Sequence, residues 1–189
     1  MTKIFVSGEG GQGVRVISHV LATLLGDIGY EVTLLYDYDS SVRGAFSLAH
    51  LIFDHEPIEN PVIDNADILL KFSNKAGKIN ARKTIGEAGL GTDEQIPFHD
   101  LGEDNFGEEL FGNMIALGRL IRLIDLELSD EELDKILPLK YHEKNIKAVH
   151  FGYNLREGDL GRGIMSGKKQ EDHFTSTGPG ITNGNHLEE

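Results

Sequence analysis

The chain has 189 residues, 18 of them lysine or arginine and 31 aspartate or glutamate, and a formal net charge of −13. This length suffices for one domain that buries its own core, and the acidic charge disfavours nucleic acid and anionic membranes as partners because phosphate groups repel it. Cysteine is absent, which excludes disulfides, thiolate metal sites, iron–sulfur ligation and a cysteine nucleophile from this chain.

The first third of the chain predicts a strand, a helix and two further strands. Residues 3–7, with the apolar run Ile4-Phe5-Val6, predict a buried strand, residues 13–25 repeat apolar side chains at helical spacing, and residues 31–36 alternate as a strand does. We expect these three elements to form a right-handed, parallel βαβ unit. The eight residues 37–44 before the next predicted strand, 45–53, are too few for a parallel crossover. That strand should therefore run antiparallel to its neighbour or lie at an edge, which gives a mixed sheet.

The remaining elements are a strand over 66–72, a weakly helical stretch over 74–88, a short edge strand over 96–98 and a strongly amphipathic helix over 108–124. Ser129 and Glu132 form a capping box for a helix that ends before Pro138, and a last helix over 140–151 ends at Gly152. We expect an α/β fold: a three-layer αβα, Rossmann-like mixed sheet with a C-terminal helical segment, all within residues 1–152. The glycine-rich residues 153–189 predict an extended or disordered tail.

Glycines cluster between the first strand and the first helix, in the sequence Gly8-Glu9-Gly10-Gly11-Gln12-Gly13-Val14. Glycine permits sharp turns and close approach of the backbone to a ligand. The helix that follows directs its unpaired N–H groups and the positive end of its dipole into this turn, so the segment predicts a site for phosphate or another anion. The simpler alternative is a tight turn without a ligand, although a hydrogen-bonding Gln12 between glycines exceeds what tight turning requires.

A dinucleotide site is one alternative use of this loop. Gly8, Gly10 and Gly13 satisfy the G-x-G-x-x-G pattern, and Asp37 follows Gly13 by 24 residues, near the position of a ribose-binding acid. This pattern favours a free-standing module that binds NAD or another nucleotide. The missing crossover after the second strand and the absence of a following catalytic domain argue against it.

Two further segments are candidates for the same site. Ser40, Ser41 and Arg43 follow the second strand, whose carboxyl end would lie beside the glycine loop in a parallel pair, so they are candidates to hold phosphate oxygens. An ordinary polar turn is the alternative. Asn113 lies early in the helix at 108–124, where it either points toward a ligand or caps a neighbouring segment. Helix packing explains the residues that follow it, up to Gly118, with Ala116 and Gly118 allowing close approach.

Other site chemistries find no support. The eight histidines form no HExxH, HxH or comparable spacing, so no metal site is expected, and no serine lies in a nucleophile-elbow pattern. No apolar run approaches the ~20 residues of a membrane span, and no signal segment precedes the first strand. We therefore expect a cytoplasmic protein.

Together, the motifs resemble the gamma subunit of the 2-oxoacid:ferredoxin oxidoreductases, over about residues 3–152. The resemblance is carried by Gly8-x-Gly10-Gly11-Gln12-Gly13-Val14, Arg43-Gly44, Pro57-Ile58, Ala66-Asp67 and Asn113-Met114-x-Ala116-Leu117-Gly118. Ala45 stands where the family usually has a second glycine after the arginine. The stretch 72–98 is shorter than usual, so we expect a strand and a helix of the family's sheet to be missing or remodelled.

The resemblance implies a subunit that is inactive alone and has no catalytic residue. The whole enzyme oxidatively decarboxylates a 2-oxoacid such as pyruvate to an acyl-coenzyme A. Thiamine diphosphate and iron–sulfur clusters would lie on alpha-, beta- and delta-type partner subunits, and ferredoxin would accept the electrons. The gamma unit would help to bind coenzyme A at a shared site. Carried over by position, the residues that cradle its phosphates or lie beside them are Gly8, Gly10, Gly11, Gln12, Gly13, Ser41, Arg43 and Asn113.

Overall fold

The computed structural model describes residues 1–38, 46–59, 61, 65–75 and 79–156. The segment with Ser40, Ser41 and Arg43 lies outside these residues, as does the predicted tail from residue 157 onward. Residues 153 and 154, which were assigned to that tail, instead belong to the last helix.

Six strands form one sheet: β1 (Thr2–Glu9), β2 (Glu31–Tyr38), β3 (Phe46–Asp54), β4 (Ala66–Lys71), β5 (Ala81–Glu87) and β6 (Glu94–Ile96). Five α-helices are described: α1 (Val14–Asp27), α2 (Phe98–Phe106), α3 (Gly112–Leu123), α4 (Asp130–Ile136) and α5 (His142–Asn154). A 3₁₀ turn, Glu109–Phe111, precedes α3. Among the described residues, none of the helices has both the length and the apolar composition that a membrane span requires.

The sheet has the order β2-β3-β1-β4-β5-β6 and is mixed, which confirms the predicted α/β class. Strand β3 runs antiparallel to both β1 and β2, whereas β4 is parallel to β1. The antiparallel direction of β3 follows from its short connection, as predicted, but β3 lies between β2 and β1 rather than at an edge. Consequently β1 and β2 are not neighbours, and the expected pairing within the βαβ unit is wrong.

The prediction for residues 74–88 is also wrong, because residues 81–87 form strand β5. Arg82 and Lys83 give this segment a polar, helix-compatible composition, but Ile85 is buried and the parallel ladder with β4 satisfies its backbone. The edge strand predicted at 96–98 is β6, which ends at Ile96, and Phe98 begins α2, a helix that the sequence did not predict.

The connection between β5 and β6 is short. The six residues 88–93 join β5 to β6, which are parallel neighbours, without the helical crossover that parallel strands usually need. Left-handed Gly89 and Gly91, with φ of 86° and 70°, reverse the chain. The Asp93 carboxylate, whose pKa is lowered by a hydrogen bond from the Thr84 side chain, also accepts the Thr84 backbone N–H at 2.8 Å. Two parallel strands are therefore joined here by six residues without a helix between them.

The main hydrophobic core lies between one face of the sheet and the helices, and all five helices contribute to it. A smaller cluster on the opposite face comprises Phe5, Leu48, Ala66 and Leu69. No described helix contributes to that second cluster. The third layer of the expected three-layer arrangement is therefore not formed by a helix of the described residues.

Helices α3 and α5 approach each other closely at two glycines. A Cβ atom on Gly118 would overlap the carbonyl oxygen of Val149, and one on Gly152 would overlap that of Ile115. Both obstacles are backbone atoms, which cannot move aside as a flexible side chain can. The close approach predicted for Gly118 is confirmed, and its partner is α5.

Replacing Gly118 with alanine is expected to destabilise the fold by ~1–3 kcal/mol, the usual cost of overpacking. Gly26→Ala is the matched control, since it places the same methyl group inside a helix where no atom lies within 4 Å. That variant should be neutral or gain ~0.5–1 kcal/mol from helix propensity. Urea unfolding of both variants measures the difference, and equal stabilities would contradict the close crossing.

Candidate functional site

The glycine loop joins the end of β1 to the start of α1. Gly11 and Gly13 have φ angles of 95° and 77°, in the left-handed region that favours glycine. Gly13 is the N-cap of α1 and therefore supplies no side-chain acceptor to the first-turn amides. The first turn of α1 also lacks acidic residues, so the N-terminus of α1 is suited to an external anion.

The four loop glycines divide into two pairs. A Cβ atom on Gly8 would meet Val14 Cγ2 at 2.9 Å, and one on Gly13 would overlap the Asn113 side chain. At Gly10 and Gly11 no atom lies within 4 Å of such a Cβ. Gly8 and Gly13 are thus required by packing, whereas the space above Gly10 and Gly11 is open to a ligand.

Gln12 holds the loop in shape. Its side-chain oxygen accepts the backbone N–H of Glu9 at 2.6 Å, and its side-chain nitrogen donates to the carbonyl of Phe72 at 3.3 Å. Its backbone N–H donates to the Glu9 carbonyl at 3.1 Å. Since these groups bond within the protein, Gln12 shapes the loop that would hold a phosphate.

Glu9 anchors the loop to the segment after β4. Its carboxylate accepts the Ser73 hydroxyl at 2.9 Å and forms an ion pair with Lys75. Hydrogen bonds from Lys75 and Ser73 lower the pKa of Glu9. The carboxylate is therefore ionised at neutral pH and already paired.

One pocket of about 370 Å³ opens beside the loop, and we call it the Arg15 pocket. Glu9, Gly10, Gly11, Arg15 and Ser47 are among its lining residues. Ser47 is only 8 % exposed, and its hydroxyl has no hydrogen-bond partner. The guanidinium of Arg15 lies 5.5 Å from the centre of the Tyr36 ring. A cation, a buried hydroxyl and a helix N-terminus make this pocket suitable for a phosphate group.

A second pocket of about 310 Å³, the His99 pocket, lies on the other side of Gly11. Gly11, Gln12, His99, Glu109 and Asn113 are among its lining residues. The buried Asn113 Oδ1 has no hydrogen-bond partner. Glu109 lines this pocket and no lysine or arginine is among its described lining residues, whereas the Arg15 pocket has Arg15 and its carboxylate, Glu9, is paired with Lys75.

A neighbouring carboxylate positions His99. Its Nδ1 and its backbone nitrogen both lie 3.3 Å from Glu87 Oε2. Burial raises the pKa of Glu87, an effect that the nearby His99 opposes. His99 thus reaches the pocket from the first turn of α2 with its orientation held by β5.

Five of the predicted site residues lie in one loop: Gly8, Gly10, Gly11, Gln12 and Gly13. A sixth, Asn113, places its side chain against Gly13. The predicted Ser41 and Arg43 lie outside the described residues. Sequence reasoning missed Arg15, Ser47 and His99. Arg15 follows the glycine motif by one residue and was the one detectable signal. Ser47 reaches the loop only because β3 pairs with β1 and places it opposite Gly8.

Asp37 is not placed as a dinucleotide site requires. Strand β3 separates β2 from β1, so Asp37 lies two strand positions from the glycine loop. Its carboxylate lies 3.0 Å from His50 Nε2. Burial lowers the pKa of His50, although the nearby Asp37 opposes that shift.

Comparison with known proteins agrees with the geometry. Residues 3–92 match the family model described as pyruvate ferredoxin/flavodoxin oxidoreductase. The 2-oxoglutarate synthase subunit KorC of Archaeoglobus fulgidus is 29% identical over 161 residues, which cover 80% of this chain and 86% of that protein. The KorC subunit of Methanocaldococcus jannaschii is 28% identical, over 81% of this chain and 92% of that protein.

A solved structure shares the fold over nearly its whole length. It is the keto/oxoacid ferredoxin oxidoreductase gamma subunit of Geobacter sulfurreducens, with a TM-score of 0.63 and 21% identity, over 81% of this chain and 96% of that chain. The match to the family model begins in β1, the strand that leads into the glycine loop, and includes the loop itself. The resemblance predicted from the motifs is confirmed: residues 3–92 match this family model, and the fold is shared with a solved gamma subunit.

Proposed function

We propose that this chain is the gamma-type subunit of a 2-oxoacid:ferredoxin oxidoreductase and that its glycine loop holds phosphate groups of coenzyme A. Both KorC relatives are named as subunits of 2-oxoglutarate synthase. Their names favour 2-oxoglutarate over pyruvate as the substrate of the assembled enzyme. The reaction would convert a 2-oxoacid, coenzyme A and two oxidised ferredoxins to an acyl-coenzyme A, carbon dioxide, a proton and two reduced ferredoxins.

The observation that carries the coenzyme A role is the Arg15 pocket. Coenzyme A bears a diphosphate and a further phosphate, and the pocket offers a cation, an unpartnered hydroxyl and the N-terminus of α1 beside two glycines with open space above them. These groups fit a phosphate by charge and by hydrogen bonding. A solved 2-oxoglutarate:ferredoxin oxidoreductase of Magnetococcus marinus, described with 2-oxoglutarate, coenzyme A and succinyl-CoA bound, has a TM-score of 0.65 and 20% identity, over 80% of this chain and 30% of that chain.

The rest of the chemistry falls to other subunits in this proposal. Iron–sulfur clusters need thiolate ligands, and this chain has no cysteine. Alpha-, beta- and delta-type subunits would therefore supply thiamine diphosphate and the clusters, and the complex would reduce ferredoxin. The gamma subunit binds and positions coenzyme A and is inactive alone.

The alternative of a free-standing NAD-binding module is weaker. It depends on Asp37 lying beside the loop, and the intervening β3 and the contact with His50 remove that support. A module of this kind would also bind its nucleotide without any partner.

Co-expression with the thiamine- and cluster-binding subunits of the same organism tests the subunit role. We expect the chain to co-purify with them and to be required for ferredoxin reduction that depends on both 2-oxoglutarate and coenzyme A. The control omits this chain from the co-expression. Full activity of the complex without the chain, or failure of the chain to co-purify, would overturn the proposal.

A further inference from the structure

The two pockets beside the glycine loop meet at Gly11. This residue lines both the Arg15 pocket, of about 370 Å³, and the His99 pocket, of about 310 Å³. Each volume lies near the lower end of the ~300–1,000 Å³ range of small-molecule sites. No atom lies within 4 Å of a Cβ built on Gly11. The space above Gly11 is therefore open to one ligand that extends from the Arg15 pocket into the His99 pocket.

The His99 pocket presents hydrogen-bond acceptors. His99 Nδ1 lies 3.3 Å from Glu87 Oε2. Because a carboxylate accepts hydrogen bonds, the neutral imidazole carries its proton on Nδ1 and leaves Nε2 as an acceptor. Within the described part of the chain, Nε2 has no hydrogen-bond partner, and the exposed Glu109 carboxylate has neither a hydrogen bond nor an ion pair. Two acceptors of the pocket are thus free to bond to a ligand.

The other lining side chains complete the character of the His99 pocket. Gln12 bonds within the glycine loop, and Asn113 packs against that loop. Leu110 is 41% exposed and offers an apolar contact. The Glu109 carboxylate repels a phosphate, which keeps phosphate groups in the Arg15 pocket. The His99 pocket therefore suits a flat, uncharged group that donates N–H hydrogen bonds from one edge.

Coenzyme A carries a group of this kind close to its phosphates. Its adenine ring has an exocyclic amino group with two N–H donors, and it has two faces that stack on other side chains. We propose that the adenine ring of coenzyme A occupies the His99 pocket, where its amino group donates to the Glu109 carboxylate and to His99 Nε2 and its face contacts Leu110. This inference rests on the proposed coenzyme A role. It makes Glu109 a specificity-determining residue of the site.

The pantetheine arm of coenzyme A fits this pocket less well. Each of its amides brings a carbonyl oxygen beside the N–H, and a carbonyl that faces Glu109 or His99 Nε2 would be left without a donor. The thiol at the end of the arm must also reach the thiamine diphosphate on another subunit in the proposed reaction. With the adenine in the His99 pocket and the phosphates in the Arg15 pocket, the arm is free to extend beyond this chain.

An analogue of coenzyme A in which hypoxanthine replaces adenine tests the pocket. The replacement puts a carbonyl oxygen where the amino group was, so an acceptor faces the Glu109 carboxylate. Calorimetry of the assembled complex should show about tenfold or weaker binding of the analogue, the scale of a hydrogen bond to a charged group. In Glu109→Gln, whose amide nitrogen can donate to that carbonyl, the difference should fall below about threefold. Glu108→Gln is the matched control and should keep the full difference, since Glu108 is exposed but is not among the described lining residues of the pocket.

The outcomes separate the two proposals. Failure of the wild-type complex to bind coenzyme A would overturn the coenzyme A role and this inference with it. Binding of coenzyme A with equal affinity for the hypoxanthine analogue would overturn the adenine pocket alone. Discrimination in Glu109→Gln as strong as in the wild type, or its loss in Glu108→Gln, would do the same. Weaker binding of phosphopantetheine, which has no adenine, to Glu109→Gln would assign the pocket to the pantetheine arm and would also overturn it.

Discussion

Replacing Arg119 with methionine is expected to destabilise the fold by ~3–5 kcal/mol, the usual cost of removing one partner from a buried ion pair. Arg119 and Glu94 are each buried, and Arg119 Nε donates to Glu94 Oε1 at 2.6 Å. Arg119 Nη1 also donates to the carbonyl of Leu155 at 3.0 Å. One guanidinium thus joins α3 to β6 and to the end of α5, and its loss leaves the Glu94 charge buried, with Lys83 Nζ 3.5 Å from its Oε2.

Urea unfolding with a matched arginine measures this effect. Arg122 lies on the same helix but is exposed, beside the Tyr153 ring, so Arg122→Met should change stability by no more than ~0.5 kcal/mol. The double variant Arg119→Met with Glu94→Gln should recover part of the loss, since it removes the unpaired charge. Equal stabilities of Arg119→Met and Arg122→Met would contradict a buried pair.

The second large effect concerns the ligand. Replacing Gly10 with valine is expected to lower affinity for coenzyme A at least a hundredfold, or ~2.7 kcal/mol, while the fold is retained. Gly10 is not among the described glycines that have a positive φ, so a side chain can be placed on it without backbone strain. No atom lies within 4 Å of a Cβ built on it. The valine side chain would therefore occupy open space above the loop, where a phosphate must approach.

Calorimetry of the assembled complex with coenzyme A measures the loss, and Gly26→Val serves as the control. Gly26 also has open space around it, but it lies near the end of α1 remote from the loop. Gly10→Ala provides a smaller obstruction and should give an intermediate loss. Wild-type affinity in Gly10→Val would exclude the mouth of the loop as the phosphate site.

The local sequence pattern was sufficient to predict the elements in which apolar residues recur at regular spacing. Helices α1 and α3 followed from helical spacing, and the direction of β3 followed from the length of the connection before it. Strand β5 was missed because its pairing with β4, rather than its own Arg82 and Lys83, stabilises it. Pairing between distant segments is not visible in a local pattern.

The same distinction applies to the site. The loop was predictable because its glycines and the start of α1 are adjacent in sequence. Ser47 and His99 reach it from β3 and α2, so their positions depend on strand register and on helix packing. Asn113 was a candidate from its position early in a predicted helix and from the family motif, and its contact with Gly13 gives that motif a physical reason.

Amide chemical shifts of the isotope-labelled chain in the assembled complex, followed during titration with coenzyme A, test directly whether the glycine loop binds phosphate. The amides of Gly10, Gly11 and Val14 are expected to shift with coenzyme A and not with pantetheine, which lacks the phosphates. NAD should perturb these amides less than coenzyme A does at equal concentration. Shifts that avoid the loop, or loop shifts that pantetheine reproduces, would contradict a phosphate site at Gly8–Val14.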